Sequence, residues 1–326
     1  MRKRILSGMR PTGKLHLGHL VGALRNWIEL QDEYECLFMV ADWHALMSEY
    51  ENPHALENNI YENVADWISC GIDPDKAVIF IQSEVKEHLD LFMILSCLTP
   101  LGWLERCPTY KEQLRELKGR DLHSYGFLGY PVLQAADILI YKAEKVPVGE
   151  DQLAHLELTR EISRRFNSIY KREIFPEPEA ILTKTPRLVG LDGRKMSKSY
   201  NNTIDLADSD EEIKKKISGM ITDPKRIKLS DKGHPDVCSV YNYYETFISE
   251  RKEAVRQKCV NAASGCTECK KDLAQSILSV LAPSREKRKK LIADKAVLRK
   301  ILDKGRERAS EIASKTRKEL KDLIKI

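Results

Sequence analysis

The sequence predicts a doubly wound parallel α/β sheet followed by a second, all-helical domain. The 326 residues, 42% hydrophobic and 32% charged, suffice for two packed cores, because chains longer than roughly 250–300 residues usually divide into domains. Strand and helix signals alternate near the start, as in parallel sheets with helices on both faces. Beyond about residue 200 the pattern is almost wholly helical.

Each element follows from a local pattern. Short apolar runs predict strands at residues 4–9, 36–41 and 77–82. Apolar residues at helical spacing predict helices at 15–30 and 53–70, with further helices from residue 87. Periodic charged stretches at 211–217 and 241–263 predict the later helices. We place the α/β domain at residues 1–186 and the helical domain at 187–300, with a C-terminal helix at 301–326 that can pack back on the first domain.

The composition excludes several classes of protein. With 16 Gly and 13 Pro, the chain is neither collagenous nor disordered. The charge-free stretch 91–104 contains Pro100 and is shorter than the roughly 20 residues of a membrane span. The basic start lacks an apolar segment typical of a signal peptide. We therefore expect a cytoplasmic protein that contacts no membrane and, in that reducing compartment, no structural disulfides.

The net charge of +5 is unevenly distributed. Residues 285–326 contain 16 Lys or Arg against 7 Asp or Glu, whereas the preceding residues carry a net charge of −4. Apolar residues recur at helical spacing through this tail, which predicts an amphipathic helix with a cationic face. That face is either simply solvated or a contact for a polyanion such as nucleic acid.

The turn after the first predicted strand has the features of a nucleotide site. In open parallel sheets, ligands bind at the carboxyl ends of strands, where a helix N-terminus favours anions. Here the segment 11–19 places His16 and His19 on one helical turn, with Gly18 between them. Two donors at a helix start suit the charge that develops on a phosphate during nucleotidyl transfer. By itself, such a histidine pair is more often structural or incidental.

Two motifs together resemble the class I aminoacyl-tRNA synthetases. Residues 16–19, His-Leu-Gly-His, are similar to the HIGH signature, and residues 195–199 match KMSKS letter for letter. The pair is far more specific than either motif. The resemblance implies a Rossmann-like catalytic domain, with the KMSKS loop in the second domain. Lys195 and Lys198 on that loop can close on a triphosphate.

The segments between these motifs resemble the bacterial tryptophanyl-tRNA synthetases. Residues 130–139, 146–152 and 42–45 carry the resemblance, which implies that Tyr130 and Pro131 lie on a strand before a helix. It also implies that Asp137 accepts a hydrogen bond from the indole N–H, a group that can only donate. The family often has Met where Gln134 stands and Gln where Arg10 stands.

The resemblance implies four sets of site residues. The catalytic set is His16, His19, Lys195 and Lys198, and the tryptophan set is His44, Tyr130, Gln134, Asp137 and Gln152. The ATP set is Arg10, Pro11, Thr12, Gly13, Gly18, His19, Gly149, Glu150, Asp151, Leu188, Lys195, Met196, Ser197, Lys198 and Ser199, with Lys111 as a further phosphate contact.

The fourth set consists of cysteines. Cys238, Cys259, Cys266 and Cys269 have the spacing Cys-x20-Cys-x6-Cys-x2-Cys. Four thiolates suit tetrahedral Zn²⁺ or an iron–sulfur cluster equally well. A subset of the bacterial tryptophanyl enzymes is similar here, and the resemblance implies a [4Fe–4S] cluster near the anticodon-reading region.

These observations predict an ATP-dependent, Mg²⁺-dependent ligase that activates L-tryptophan and transfers it to tRNA(Trp). The resemblance also implies a homodimer. Three alternatives remain at this point: a tyrosyl-tRNA synthetase, a non-catalytic tRNA-binding paralogue, and a small nucleotidylyltransferase that shares the His-x-Gly-His turn.

Overall fold

A parallel five-stranded sheet forms the centre of the first part of the chain. The computed structural model describes residues 2–108, 110–111, 122–182 and 188–325. The strands are β1 (Arg4–Met9), β2 (Glu35–Val40), β3 (Ala77–Ile81), β4 (Lys145–Val148) and β5 (Glu179–Leu182). Their order is β3-β2-β1-β4-β5, and every neighbouring pair is parallel. The order reverses beside β1, so the doubly wound prediction is confirmed.

Helices cover both faces of this sheet and form most of the remaining described residues. They are α1 (Leu17–His19), α2 (Arg25–Leu30), α3 (Asp42–Glu49), α4 (Leu56–Cys70), α5 (Glu87–Leu98), α6 (Leu101–Arg106), α7 (Tyr125–Ile140), α8 (Leu153–Tyr170), α9 (Asp210–Ser218), α10 (Ser239–Phe247), α11 (Lys252–Val260), α12 (Cys266–Ala293) and α13 (Lys295–Ile324). A π-helical segment, Leu20–Leu24, joins α1 to α2.

The structure corrects the expected strand at Tyr130 and Pro131. Both residues lie inside α7, with Pro131 in the helix interior. The side chain of Ser124 caps the helix by accepting from the amide N–H of Phe127 (3.2 Å). Most of the helix is buried, and this burial outweighs the hydrogen bond that proline removes.

Two strands, β4 and β5, are absent from the strands predicted above, and two helices are predicted there as one. The four residues of β5 are only partly buried and lie at the sheet edge beside β4, so they carry little of the apolar signal that predicts a strand. The expected helix at 241–263 divides into α10 and α11, with a 3₁₀ turn at Ser249–Arg251 between them.

The C-terminal helix α13 packs on β3 and α5. Its buried face includes Leu298, Leu302 and Ala309, so the predicted amphipathic helix is confirmed. At Gly305, an added Cβ would lie 1.8 Å from the carbonyl oxygen of Ile79. Glycine is therefore what allows α13 to lie directly against the strand.

Part of the tail's positive charge is directed at the rest of the molecule. Six of its cations form ion pairs with acidic side chains outside the tail, namely Arg285, Arg288, Arg299, Lys304, Arg308 and Arg317. Arg288 on α12 is the most enclosed of these, with its Nε 2.6 Å from the buried Asp66 on α4. The charge asymmetry thus serves packing between the tail and the sheet, a role absent from the sequence analysis.

The same apolar core extends from the sheet into the later helices. It includes Ile5 of β1, Val64 of α4, Met196 of the KMSKS loop and Ile277 of α12. The predicted boundary between residues 186 and 187 lies outside the described residues, so the division into two domains stays a prediction. Among the described residues, no helix is both long and apolar enough to cross a membrane.

Candidate active site

A cavity of about 360 Å³ opens at the carboxyl ends of β1, β2 and β4. This is where the strand order reverses, the usual position of ligands in such sheets. The cavity walls include all five residues predicted to bind the amino acid: His44, Tyr130, Gln134, Asp137 and Gln152. Arg10 and Gly149, predicted to contact ATP, also line it.

Asp137 is the most enclosed charged group of this cavity, at 1% exposure. Its carboxylate accepts three hydrogen bonds, from His44 Nε2 (2.7 Å), Gln82 Nε2 (2.8 Å) and His88 Nδ1 (2.6 Å). Burial alone raises the pKa of Asp137, but the hydrogen bonds from His44 and His88 outweigh it and lower the pKa to about 2. The group is therefore an ionised, acceptor-only carboxylate at neutral pH.

A second polar set also lines the cavity, with His155 at its centre. The Tyr130 hydroxyl and His155 Nε2 are 2.8 Å apart, and His155 Nδ1 is 3.0 Å from Gln152 Oε1. Because the amide oxygen can only accept, His155 carries its proton on Nδ1, and Tyr130 donates to Nε2. Burial lowers the pKa of His155 to about 4, so the ring is neutral and holds both neighbours in one orientation.

The two signature histidines lie close together at the start of α1. Their ring centroids are 3.8 Å apart. His16 Nδ1 accepts from the amide N–H of Gly18 (3.1 Å), and His19 Nδ1 accepts from the amide N–H of His16 (3.1 Å). In each neutral ring the proton is therefore on Nε2, which is left as a donor.

Both rings are neutral at physiological pH. Burial and the neighbouring Lys198 lower the pKa of His16 to about 4. Burial, the adjacent His16 ring and Lys198 hold the pKa of His19 well below its usual range. The pair can supply N–H dipoles to a phosphate, while the positive charge at this site comes from lysine.

The KMSKS loop reaches back to the first βα turn. Lys198 Nζ donates to the carbonyl oxygen of Thr12 (3.2 Å), beside Gly13. Met196 is buried, and its sulfur lies 3.3 Å from the amide nitrogen of Gly18. Partial desolvation lowers the pKa of Lys198. The structure thus brings the two signatures together, as the sequence analysis expected of a nucleotide site.

Asn202 shapes this loop from within. Its Oδ1 accepts from the amide N–H of Ser197 (2.8 Å), and its Nδ2 donates to Asp192 (2.7 Å) and to the carbonyl oxygen of Lys195 (3.0 Å). The hydroxyls of Ser197 and Ser199 are 2.8 Å apart. Leu188 is buried beside the loop, and its carbonyl oxygen accepts from the amide of Met196 (3.3 Å). Lys195 is exposed.

The remaining predicted residues differ in their exposure. Glu150 and Asp151 are exposed on a 3₁₀ turn after β4, next to Gly149. Pro11 is buried in the first βα turn. Lys111 is exposed, and within the described residues no contact joins it to the cavity or to either signature.

Four residues of the site, Gln82, His88, His155 and Tyr141, are absent from the set predicted from the sequence. For Gln82 a signal existed, because it directly follows β3 and polar residues at strand carboxyl ends approach the ligand. His88 lies on α5 and Tyr141 just after α7. Neither carries a local pattern that predicts its hydrogen bond, which His88 makes to Asp137 and Tyr141 makes to His88.

The four bunched cysteines lie on or beside α10, α11 and α12. They are near enough for each of Cys238, Cys259 and Cys269 to have its pKa raised, mainly by burial and in part by the other thiols. Among the described residues, however, no group of three or more His, Cys, Asp or Glu side chains is arranged to hold a metal ion. The donor types fit a cluster, but their arrangement here does not show one.

Comparison with known proteins places the chain among translation enzymes. Residues 2–282 match the family model described as tRNA synthetases class I (W and Y). A tryptophan–tRNA ligase of Thermotoga maritima is 52% identical over 99% of both chains. One of Ralstonia nicotianae is 41% identical over 99% of this chain and 98% of its own.

Solved structures agree with these relatives. Tryptophanyl-tRNA synthetase from Campylobacter jejuni, complexed with ADP and tryptophan, superposes with a TM-score of 0.92 at 35% identity, covering 99% of this chain and all of its own. Tyrosyl-tRNA synthetase from Archaeoglobus fulgidus has a TM-score of 0.68 at 22% identity over 88% of this chain and 90% of its own, a likeness of fold alone.

Proposed function

The chain belongs to the class I tRNA synthetases of the tryptophan and tyrosine family, and we propose that it performs tryptophan activation with the residues gathered around the cavity and the two signatures. It is a tryptophan–tRNA ligase that joins L-tryptophan to tRNA in two steps. The observation that carries the assignment of residues is the buried Asp137 carboxylate in the cavity wall.

In the first step, the tryptophan carboxylate attacks the α-phosphorus of Mg-ATP and pyrophosphate leaves. Asp137 accepts the indole N–H, while Tyr130 and Gln152, held by His155, bind the amino-acid end. An isostere without the N–H would leave the buried carboxylate unpaired, which is how such a site rejects it. Gln134 and His44 complete the pocket. The reaction is accelerated by the orientation of tryptophan and ATP rather than by a covalent intermediate with the enzyme.

The signature residues stabilise the negative charge that develops on the phosphates. His16 and His19 donate from Nε2 as neutral rings, and Lys195 and Lys198 offset the charge on departing pyrophosphate. Arg10, Pro11, Thr12, Gly13 and Gly18 line the ATP with Gly149, Glu150, Asp151 and Leu188, and with Met196, Ser197 and Ser199 of the loop. Lys111 is a further phosphate contact in this proposal.

In the second step, a terminal ribose hydroxyl of tRNA(Trp) attacks the aminoacyl carbonyl and AMP leaves. Cations of the tail that remain outside its ion pairs contact tRNA phosphates, so binding should weaken as salt rises. The deciding experiment for the first step is ATP–pyrophosphate exchange on purified protein with each of the 20 amino acids. Exchange with tryptophan alone is expected; exchange with tyrosine, or none, would overturn the assignment of Asp137 or of catalysis itself.

A homodimer in the cytoplasm is the proposed working form. Large apolar side chains are exposed on neighbouring helices, among them Met93 on α5 (64%), Leu101 on α6 (61%) and Tyr125 on α7 (73%). A contiguous exposed apolar surface is typical of an interface. Light scattering should give twice the chain mass, and Met93→Glu should lower it; a wild-type monomer at micromolar concentration would contradict the proposal.

The four thiols are proposed to bind a [4Fe–4S] cluster, or alternatively Zn²⁺, near the anticodon-reading region. Support comes from the donor set and its spacing in the sequence. Anaerobic protein should show iron and sulfide with visible absorption, or zinc without it. Cys266→Ser should abolish this content and impair tRNA charging more than pyrophosphate exchange, whereas Cys97→Ser, at an exposed thiol elsewhere, should change neither. Equal loss of both activities would count against the proposal.

A further inference from the structure

We propose that Gln82, His88 and Tyr141, together called the positioning relay, hold the carboxylate of Asp137 so that it has a single open acceptor position, on Oδ2. This makes the Asp137 end of the cavity selective for a ring that only donates a hydrogen bond. The proposal rests on the proposed pairing of Asp137 with the indole N–H. It adds three residues that determine specificity without contacting the substrate.

The hydrogen bonds of the carboxylate can be counted. A carboxylate offers about four acceptor positions, two on each oxygen. Oδ1 accepts from both Gln82 Nε2 (2.8 Å) and His88 Nδ1 (2.6 Å), which fills it. Among the described residues, Oδ2 accepts from His44 Nε2 alone (2.7 Å). One acceptor position therefore remains, on Oδ2 of Asp137 beside His44. Asp137 and His44 both line the cavity.

The relay acts from behind the cavity wall. Gln82 and His88 are fully buried, as is Tyr141, and none of the three lines the cavity. They come from three places in the fold: Gln82 directly after β3, His88 on α5 and Tyr141 after α7. Because these elements are packed together in the sheet core, the carboxylate has little freedom to rotate about its side-chain bonds.

The direction of each hydrogen bond follows from the chemistry of the partners. The ionised carboxylate cannot donate, so His88 Nδ1 must carry a proton. A neutral His88 then accepts at Nε2, and the Tyr141 hydroxyl, 2.7 Å away, donates to it. Tyr141 thus holds His88 in the tautomer that donates to Asp137.

This arrangement distinguishes a substrate ring that only donates a hydrogen bond from one that can also accept a hydrogen bond. The N–H groups of His44, Gln82 and His88 that face Asp137 are all directed at its carboxylate. A phenol hydroxyl could donate to Oδ2, but its oxygen would find no donor among these three groups. An unpaired buried polar atom is costly, whereas an indole N–H leaves nothing unpaired.

The test compares tryptophan with its benzothiophene isostere, in which sulfur replaces the N–H. The measured quantity is the ratio of kcat/KM for the two amino acids in pyrophosphate exchange. His88→Leu, which removes the donor, should lower the ratio roughly tenfold, through a higher KM for tryptophan with kcat and the KM for ATP little changed. Tyr141→Phe should lower it severalfold. His88→Asn, whose amide can replace Nδ1, should restore most of the ratio.

A matched control removes a buried hydroxyl elsewhere. Ser163 on α8 is buried and donates only to the carbonyl oxygens of Phe175 and Pro176, so Ser163→Ala should leave the ratio unchanged. Equal losses for tryptophan and the isostere in Tyr141→Phe and His88→Leu would overturn the relay. If His88→Leu fails to fold, Tyr141→Phe and His88→Asn decide.

Asp137→Asn tests the proposed recognition of the indole N–H by Asp137 separately from the positioning relay. If this variant loses the preference for tryptophan while the relay variants keep it, the relay is wrong and the assignment of Asp137 stands. If Asp137→Asn itself retains the preference, the assignment of Asp137 is wrong and the relay falls with it.

Discussion

The two halves of the active site are built in opposite ways. The tryptophan end is closed: Asp137 is 1% exposed and held by three side chains from three elements. The KMSKS end is open: Lys195 and Lys198 are exposed on a loop. Within the part of the chain that the structure describes, one hydrogen bond, from Lys198 to Thr12, links their ammonium groups to the first βα turn.

The difference follows from what each half must do. Selecting one ring over another requires a desolvated group of fixed direction, because only an unpaired buried atom penalises the wrong substrate strongly. Stabilising pyrophosphate as it leaves requires charge that can follow the phosphates, and mobile loops supply it. Specificity therefore depends on the packed core, whereas catalysis of phosphate departure depends on a loop.

The largest expected effect comes from Asp137→Asn. The new amide would direct its NH₂ group at the N–H groups of His44 and His88 and of the indole. The substitution therefore weakens both the binding of tryptophan and the hydrogen bonds that hold residue 137. Removing a charged, buried partner should lower kcat/KM for tryptophan by about 10³-fold. Pyrophosphate exchange measures this; a loss below tenfold would show that the closed half does not select through this carboxylate.

Lys198→Ala should have the next largest effect, on the open half. Loss of one preorganised cation should lower kcat of exchange about 10²-fold while the KM for tryptophan stays near its wild-type value. Lys228→Ala, at an exposed lysine outside the loop, is the control. If the KM for tryptophan rose together with the fall in kcat, the KMSKS loop would also contribute to tryptophan binding, and the division of roles between the two halves would be wrong.

Gly305→Ala tests the support behind the closed half. The new Cβ would collide with the carbonyl of Ile79, so α13 must move away from β3 at a cost of about 2 kcal/mol. Gly102→Ala, where the nearest atom is 3.8 Å away on the flexible Arg106 side chain, should cost nothing measurable. Thermal or urea unfolding of the two variants makes the comparison, and equal stabilities would contradict it.

The effect that is smallest near neutral pH, and grows only as the pH is lowered, is a dependence of stability on pH. His16, His19 and His155 have folded-state pKa values below the usual 6.5, so only the unfolded chain binds their protons between about pH 6.5 and 4. Stability is fully present above pH 6.5 and falls as the pH is lowered toward 4, by at most about 1.4 kcal/mol per pH unit for each histidine. His155→Gln should reduce this slope in urea titrations; an unchanged slope would exclude His155 as a source.

The neutral histidines also bear on activity. Because His16 and His19 are uncharged at neutral pH, kcat of exchange should show no step near pH 6.5, where an ordinary histidine titrates.

The sequence by itself determined the sheet and its ligand edge. Alternating apolar strands and amphipathic helices are local patterns, so β1, β2, β3 and the histidine turn could be predicted from them. The two signatures identified the family because they are short, contiguous and chemically constrained. The amino-acid pocket residues were carried over from the resemblance, and the structure gathers all five in one cavity.

Only the tertiary structure decided what surrounds those residues. Gln82 and His88 are separated from Asp137 by 55 and 49 positions, and no local spacing encodes such contacts. Pro131 lies in a helix because burial outweighs propensity. The tail's cations pair with acids distant in sequence, such as Asp66. These features depend on which surfaces meet after the sheet has formed, and that information resides in packing rather than in any local pattern.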